Sequence, residues 1–367
     1  MVERPLNPVC RVHLDELSDE IGVWQHAIGA TPNRAFGYCT DDVARALEVD
    51  LLHSRSLGWG VVEGSAWRSM AFINDAFDVP LGRFRNFRSA NGEWLEEAGS
   101  ADCHARALAA LGFAMADAPD VGFASSAAVL FDKALPAARK LTDLRPMAEA
   151  LLGCDAALRG GADGPAQQAF DELAVRLADA FTDLPSEWPW PEPVVTYENG
   201  LLPRALIAAG SRLDDEAMLQ TGCRTLDWLA QTQTADSERL SLVGNRGWWR
   251  RGESPARFDQ QPMEAASLLA AAEAAFAATA EERFRHLAEM AYGWFLGDND
   301  RSVPVAIPTT GGCHDGLTPD GANLNQGAES TLMWLTALEQ LRRLRADGRT
   351  RNSAIPGMAS SLPQVAE

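Results

Sequence analysis

The segment Tyr38-Cys-Thr-Asp-Asp-Val-Ala-Arg-Ala-Leu47 ends a polar loop and begins a helix rich in alanine and leucine. Two carboxylates stand at the start of that helix, and the same order of features returns five more times along the chain. The repeats are Ser100-Ala-Asp-Cys-His-Ala-Arg-Ala-Leu108, Leu144-Arg-Pro-Met-Ala-Glu-Ala-Leu151, Thr196-Tyr-Glu-Asn-Gly-Leu-Leu-Pro-Arg-Ala-Leu206, Phe258-Asp-Gln-Gln-Pro-Met-Glu-Ala-Ala266 and Asn325-Gln-Gly-Ala-Glu-Ser-Thr-Leu332. A repeat of helical hairpins with a period of several tens of residues is typical of a solenoid or a closed ring.

The apolar spacing predicts about twelve helices and little strand. The predicted helices cover residues 14–28, 41–54, 64–77, 101–116, 123–141, 145–159, 165–182, 198–209, 213–232, 261–278, 281–296 and 326–345. Six hairpins of this kind close into an all-α (α/α)6 toroid, with an inner and an outer ring of six helices each. We assign the small-residue helices to the inner ring, because alanine and glycine allow helices to approach closely. Residues 1–345 are predicted to form this single domain, and residues 346–367 a polar, flexible tail.

The charge balance bounds the partners of this chain. Its 51 acidic and 32 basic residues give a net charge of −19, which repels phosphate backbones and anionic membranes. We therefore expect neither nucleic acid nor a membrane as a partner. No apolar run reaches the roughly 20 residues that span a bilayer. The six scattered cysteines lack a CxxC pair, and no signal-peptide core follows Met1, so a reduced, cytoplasmic protein is predicted.

Loop lengths predict where the functional face lies. The connections that enter the small-residue helices are mostly long, and those that leave them are mostly short. In a ring of hairpins all entering connections share one end, and long loops in a compact domain are usually functional. Helix N-termini also favour nearby carboxylates through their partial positive charge. The active face is thus expected where the small-residue helices begin.

Carboxylates at this end are the candidates for catalysis. Glycoside hydrolysis needs one carboxyl group to protonate the leaving oxygen and a second to act as base or nucleophile. Capping of a helix or stabilisation of a turn is the alternative role for each of them. The predicted catalytic residues are Asp41, Asp42, Asp102, Glu198, Asp315 and Glu329.

The long loops also carry candidates for sugar binding. Tryptophan rings stack on the C–H faces of pyranoses, while carboxylates, amides and histidines bind the hydroxyl groups. The alternative is that these tryptophans fix the loops to the rim of the ring. The predicted substrate-binding residues are Trp94, Glu97, His104, Trp188, Trp190, Tyr197, Trp248, Trp249, Asp259, Gln261, Glu264 and His314.

The predicted ring resembles the (α/α)6-barrel, or six-hairpin, glycosidase superfamily. Within it, five segments are similar to a bacterial domain found alone or fused to family-4-like glycosyltransferases. They are Thr40-Asp-Asp-Val-Ala-Arg45, Trp94-Leu-Glu-Glu-Ala-Gly-Ser100, Asp102-Cys-His-Ala-Arg-Ala107, Gly311-Gly-Cys-His-Asp-Gly-Leu317 and Asn325-Gln-Gly-Ala-Glu-Ser-Thr331. The resemblance implies an oligosaccharide substrate and a glycosyltransferase as functional partner. By analogy with inverting members, Asp102 or Glu198 would be the acid, and Asp315 or Glu329 the base.

These observations predict a glycoside hydrolase or phosphorylase that needs no cofactor. The chain shows no glycine-rich strand-loop-helix unit of a nucleotide-sugar domain, so we do not predict a glycosyltransferase. A non-catalytic glycan-binding module is one alternative. A zinc-dependent cyclase-like enzyme is another, because Gly312-Cys-His-Asp-Gly316 resembles the Cys-His-Gly motif of lanthionine cyclases. A uronate lyase or an epimerase also stays open, with His104 or His314 as the histidine base.

Overall fold

The fold was examined in a computed structural model, which describes residues 4–235 and 239–353. Within these ranges most of the chain is helical, as the apolar spacing predicted. The α-helices are α1 Val12–Glu16, α2 Thr40–Leu57, α3 Trp59–Ala76, α4 Ala101–Asp117, α5 Val121–Ala138, α6 Leu144–Arg159, α7 Pro165–Asp179, α8 Leu201–Leu213, α9 Glu216–Thr232, α10 Pro262–Thr279, α11 Glu282–Phe295 and α12 Ala328–Ser353.

Six helices rich in small residues form a closed inner ring. Helices α2, α4, α6, α8, α10 and α12 pack in this order, and α12 packs back on α2. Close approach depends on glycine at the contact between α4 and α6. A Cβ atom on Gly112 would lie 2.1 Å from the carbonyl oxygen of Gly153. The all-α (α/α)6 toroid predicted from the repeats is thereby confirmed.

The outer ring is completed by a much shorter element than the sequence predicted. Helices α3, α5, α7, α9 and α11 each pack against the preceding inner helix, and α1 packs against α12. The predicted helix over residues 14–28 is wrong, because only Val12–Glu16 is helical. The carboxylate of Asp19 accepts hydrogen bonds from the backbone N–H groups of Ile21 and Gly22. This local turn competes with helix propagation.

Short hairpins decorate the loops of the ring, and each sheet of the described chain has two strands. A turn lies at Asn91-Gly92, where Gly92 has a φ of 86° and donates its N–H to the carbonyl oxygen of Ser89. The strands are β1 Ala27–Ile28, β2 Thr31–Pro32, β3 Tyr38–Cys39, β4 Phe77–Asp78, β5 Arg83–Phe84, β6 Phe87–Arg88, β7 Val194–Val195, β8 Trp249–Arg250, β9 Ala306–Ile307, β10 Gly312–Cys313, β11 Gly316–Thr318 and β12 Gly321–Asn323.

The last helix, α12, is longer than the helix predicted over residues 326–345. The helix continues to Ser353 instead of stopping at residue 345, since no proline interrupts the chain before Pro356. Residues 354–367, the rest of the predicted tail, lie outside the described residues. All six cysteines carry free thiols. In the described ranges, none of the helices combines the length and the apolar character that a membrane span requires.

Candidate active site

A cavity of about 660 Å³ opens where the inner helices begin. Five of the six predicted catalytic carboxylates and four of the predicted substrate-binding residues line it, so the long loops and helix starts do meet at one face. The carboxylates are Asp41, Asp42, Asp102, Asp315 and Glu329, and the substrate-binding candidates are Tyr197, Trp248, Asp259 and Gln261.

Asp42 is the most buried carboxylate of the cavity wall, at 4% exposure. Arg45, one turn further along α2, places its Nη1 atom 3.2 Å from Asp42 Oδ1 and its Nη2 atom 3.2 Å from Glu329 Oε2. Burial raises the pKa of Asp42 to about 7; Arg45 opposes this rise, and the charges of Glu329 and Asp41 add to it. Asp42 therefore exchanges a proton near neutral pH, as a general acid must.

Arg106 links Asp41 to two further carboxylates beneath the cavity. Its Nε atom lies 3.3 Å from Asp41 Oδ1, its Nη2 atom 2.8 Å from Glu198 Oε2 and its Nη1 atom 3.7 Å from Glu149 Oε2. Arg106 thus reaches from α4 to carboxylates on neighbouring elements. Burial opposes ionisation of Glu198, yet Arg106 outweighs it and lowers the pKa of this carboxyl. Glu198 is thus ionised and lies outside the cavity wall, so it does not suit the role of acid.

Asp102 is held by a phenol from another helical repeat. The hydroxyl of Tyr197 donates to Asp102 Oδ2 at 2.9 Å, and the guanidinium of Arg145 lies 4.7 Å from the centre of the Tyr197 ring. Burial raises the pKa of Asp102, against the effect of the Tyr197 hydrogen bond. Asp102 is not the capping residue of α4, because the Ser100 side chain accepts the hydrogen bond of the Cys103 N–H at the start of that helix.

Asp315 approaches the cavity from the loop before α12. Its Oδ1 atom accepts the backbone N–H of Gly327 at 2.7 Å, and a Cβ atom on Gly327 would lie 3.0 Å from that oxygen. Among the described residues, Asp315 Oδ2 has no hydrogen-bond donor. One oxygen therefore fixes the side chain and leaves the other for a ligand.

The tryptophans of the long loops divide into one cavity residue and a buried cluster. Trp248 lines the cavity and has a φ of 59°, a left-handed conformation that is uncommon for a bulky residue and is found enriched at functional sites. Trp188 and Trp190 are buried, and Trp188 packs edge-on against Trp249, with ring centroids 4.9 Å apart. Trp188, Trp190 and Trp249 fix the loops to the ring, so we do not retain them as sugar-binding residues.

Trp94, Glu97 and His104 also lie outside the cavity wall. Trp94 packs edge-on against Phe72, with ring centroids 5.4 Å apart, and Glu97 is exposed. His104 is fully buried, and its Nε2 atom contacts the carbonyl oxygen of Ala134 on the outer helix α5 at 3.1 Å. Burial lowers the pKa of His104 to about 4. The imidazole is therefore neutral and turned towards the outer ring, away from the cavity.

Glu264 has a structural role in this arrangement. It accepts hydrogen bonds from the backbone N–H of Glu198 at 2.5 Å and from the Asn199 side chain at 2.7 Å. Burial raises the pKa of Glu264 to about 7, although these hydrogen bonds oppose the rise. His314 follows a buried strand, and its Nδ1 atom has no hydrogen-bond partner among the described residues, but it does not line the cavity.

Sequence reasoning did not single out His26 or Asn86, which both line the cavity. His26 is exposed at the rim and packs edge-on against Phe36, with ring centroids 4.7 Å apart. Asn86 is buried, and its Nδ2 atom donates to Asp41 Oδ2 at 2.8 Å. Neither residue belongs to a helix start, so the repeat that revealed the carboxylates could not reveal them.

The thiols near the active face, including Cys313 of the motif that resembles a zinc site, are buried among protein atoms. Cys39 Sγ donates to the Asn86 side chain at 3.1 Å, and Cys313 Sγ contacts the carbonyl oxygen of His314 at 3.4 Å. Burial raises the pKa of Cys39 and of Cys313, which disfavours the thiolate that zinc requires. In the part of the chain that the structure describes, no three histidine, cysteine, aspartate or glutamate side chains are grouped to hold a metal ion.

The closed double ring gives this chain an (α/α)6-barrel fold. Solved structures with this fold include sugar epimerases, a sugar isomerase and mannanases. The cellobiose 2-epimerase of Spirochaeta thermophila is 13% identical, with a TM-score of 0.68 over 91% of this chain and 93% of that chain. D-mannose isomerase is 12% identical, with a TM-score of 0.69 over 90% and 94%.

A mannanase complex is among the similar structures. It is an inactive variant of the α-1,6-mannanase of a Salegentibacter species bound to α-1,6-mannotriose, 10% identical, with a TM-score of 0.61 over 91% of this chain and 96% of that chain. Identities this low establish the fold alone. No family model matches the sequence, and no curated protein matches it.

Proposed function

We propose that this protein is a carbohydrate-active enzyme that hydrolyses a glycosidic bond of a neutral oligosaccharide. The observation that carries the proposal is Asp42, a buried carboxyl with a pKa of about 7 in a cavity wall that holds four other carboxylates from the predicted catalytic set. A pair of carboxyl groups with separate ionisation states is what glycoside hydrolysis requires. The similar structures support a sugar substrate, since mannanases and sugar epimerases share this fold.

Asp42 is the proposed general acid, and Asp315 the proposed second carboxylate. Protonated Asp42 donates its proton to the glycosidic oxygen as the bond to the anomeric carbon breaks. Asp315 Oδ2, free of donors from the described residues, takes a proton from the water that attacks the anomeric carbon. Alternatively it bonds to that carbon itself, and a water molecule deprotonated by Asp42 then attacks the carbon and releases Asp315. Arg45 stabilises the Asp42 carboxylate that forms, because it already contacts Asp42 Oδ1.

The arginines of the cavity wall are paired with carboxylates, and this favours hydrolysis over phosphorolysis. Phosphorolysis needs cationic donors that are available to phosphate. Arg45 is paired with Asp42 and Glu329, and Arg106 with Asp41 and Glu198. The remaining polar groups of the wall suit hydroxyl groups. Asp102, Glu329, Asp259 and Gln261 are the proposed hydroxyl-binding residues, and Trp248 is the proposed stacking platform.

The test is a digestion of neutral oligosaccharides, α-1,6-mannotriose and cellobiose among them, analysed by anion-exchange chromatography. We expect release of shorter sugars by the wild-type protein and none by Asp42→Asn. An inactive variant of the Salegentibacter mannanase has asparagine in place of two consecutive aspartates. Binding of a glycan without turnover by the wild type would contradict the proposal and support a glycan-binding module.

A sugar epimerase or isomerase is the second candidate, because cellobiose 2-epimerases and a mannose isomerase share the fold. His26 is the histidine of the described cavity wall, and it would have to be the base. Because His26 is exposed at the rim, we favour epimerisation less than hydrolysis through the buried Asp42. Formation of the C2 epimer of cellobiose, without hydrolysis, would establish this reading. A glycosyltransferase partner and a cytoplasmic location stay predictions from the sequence.

A further inference from the structure

A second cavity, which we name the distal cavity, lies between the C-terminal halves of the inner helices. Its volume is about 320 Å³, and its walls include Leu51, Phe113 and Leu152. Cavities of roughly 300–1,000 Å³ with apolar walls and a few convergent polar groups are typical of small-molecule sites. No step of the proposed hydrolysis uses this space.

The polar groups of the distal cavity include one that has no partner. Gln340 is 5% exposed, and its Oε1 atom has no hydrogen-bond donor among the described residues. A buried acceptor without a donor costs free energy, so it indicates an absent hydrogen-bonding group. Glu48, Arg204 and Thr336 line the same region. Burial and the neighbouring Glu149 carboxylate raise the pKa of Glu48, which favours the protonated carboxyl that can donate a hydrogen bond.

Most charges around the distal cavity are compensated within the protein. Arg55 contacts Asp117 at 2.8 Å, and Arg343 Nη2 contacts Glu273 at 2.7 Å. Within the described residues, Arg204 is the lining arginine that has no carboxylate in salt-bridge contact, so the walls offer a single unpaired cation and not the cluster of cations that suits a phosphate. Donors and acceptors next to apolar walls instead match a molecule with hydroxyl groups and C–H faces.

A layer of buried charges separates the distal cavity from the cavity of about 660 Å³ that Asp42 and Asp315 line, which we name the catalytic cavity after its proposed role. Arg45, Arg106, Glu149 and Glu198 line the narrow space between them, which is only about 50 Å³. This space has room for a few water molecules and not for a sugar ring. A ligand of the distal cavity therefore enters from the opposite mouth of the ring.

We propose that the distal cavity is a second binding site, separate from the catalytic cavity, for a small neutral polyol of the size of a mono- or disaccharide. The Oε1 atom of Gln340 is shielded from solvent in this structure, so the amide turns towards the cavity to accept a hydrogen bond from a hydroxyl group. Arg204 and Thr336 bind neighbouring hydroxyl oxygens. The C–H face of the ligand packs against Phe113 and Leu152. This site stands whether or not the catalytic cavity hydrolyses glycans.

The test is isothermal titration calorimetry of the full chain with D-mannose, D-glucose and cellobiose, and with D-glucuronate as an anionic comparator. We expect binding of at least one neutral sugar and weaker binding of glucuronate. Gln340→Leu should weaken the neutral sugar about tenfold, since one hydrogen bond is lost. Ala274→Phe, which fills the cavity from α10, should abolish that binding. Trp248→Ala, in the catalytic cavity, should retain it.

Circular dichroism and thermal unfolding verify that the Gln340→Leu and Ala274→Phe variants fold. Because the Gln340 acceptor is unpartnered, Gln340→Leu is not expected to destabilise the protein. The proposal is overturned if the wild type binds none of the neutral sugars, if only glucuronate binds, or if binding is lost in Trp248→Ala. Hydrolysis is measured separately, by product release, so its failure would leave this result interpretable.

Discussion

The Nη2 atom of Arg106 lies 2.8 Å from the Oε2 atom of Glu198, a residue 92 positions later in the sequence. Both side chains are buried, and the same guanidinium also contacts Asp41 in the catalytic cavity wall. This contact ties two of the helical repeats together directly beneath the cavity. Arg106 also fixes the carboxylate of Asp41, which neighbours Asp42, the proposed acid.

Replacement of Arg106 by methionine is expected to destabilise the fold by about 3–5 kcal/mol, because it leaves buried carboxylates without a counter-charge. Arg106 lowers the pKa of Glu198, so its stabilisation is present above about pH 4, where the unfolded carboxyl ionises, and is lost as pH falls further. The loss of stability in Arg106→Met should therefore be largest near neutral pH. Urea unfolding at several pH values measures it.

The control is Arg55→Met, which breaks an ion pair with Asp117 in which the arginine side chain is 48% exposed. Exposed pairs contribute at most about 1 kcal/mol. Equal losses of stability in the two variants would contradict a special role for Arg106.

Amide substitutions of the proposed catalytic pair should abolish turnover without unfolding the protein. We expect kcat to fall by roughly 10²–10⁴ for Asp42→Asn and for Asp315→Asn, the usual contribution of an acid or a base. An aryl glycoside with a good leaving group should restore part of the activity of Asp42→Asn only, since such a leaving group needs no proton. Asp171→Asn on the outer helix α7 is the matched control. Unchanged kcat in both variants would remove the assignment.

The pH dependence should report the environment of Asp42. Its raised pKa of about 7 predicts that activity falls as pH rises above 7, because the acid loses its proton. Glu329→Gln removes a charge that raises this pKa, so the basic limb of the profile should move to lower pH. Asp320→Asn, a change on the exposed turn between β11 and β12, should leave the limb in place. A basic limb that moves to higher pH in Glu329→Gln would contradict the assignment of Asp42 as the general acid.

Two tryptophans should respond differently to truncation. Trp248→Ala removes a wall of the catalytic cavity, so KM should rise while the thermal midpoint changes little. Trp188→Ala leaves a hole in the aromatic cluster and should cost about 3–5 kcal/mol of stability. Kinetics with a soluble oligosaccharide and thermal unfolding of each variant separate the two roles. A rise of KM in Trp188→Ala at unchanged stability would place its ring at the substrate.

The repeat in the sequence predicted the inner ring because alanine and leucine spacing is a local property of each helix. It also predicted which end carries Asp41, Asp42, Asp102, Asp315 and Glu329, since helix starts and loop lengths are visible in the sequence. The same reasoning could not separate Trp248 from Trp188 and Trp190. All three stand in long loops, and only the packing of those loops decides which ring lines the cavity.

The sequence by itself determined a closed ring of hairpins with acidic residues at one mouth, because hydrophobic period and chain punctuation act over a few residues. The tertiary structure alone decided the partners: Arg106 with Glu198, Tyr197 with Asp102, and Gln340 Oε1 with none among the described residues. These relationships join residues from separate repeats, and no local pattern encodes the distance between two helices that meet only when the ring closes.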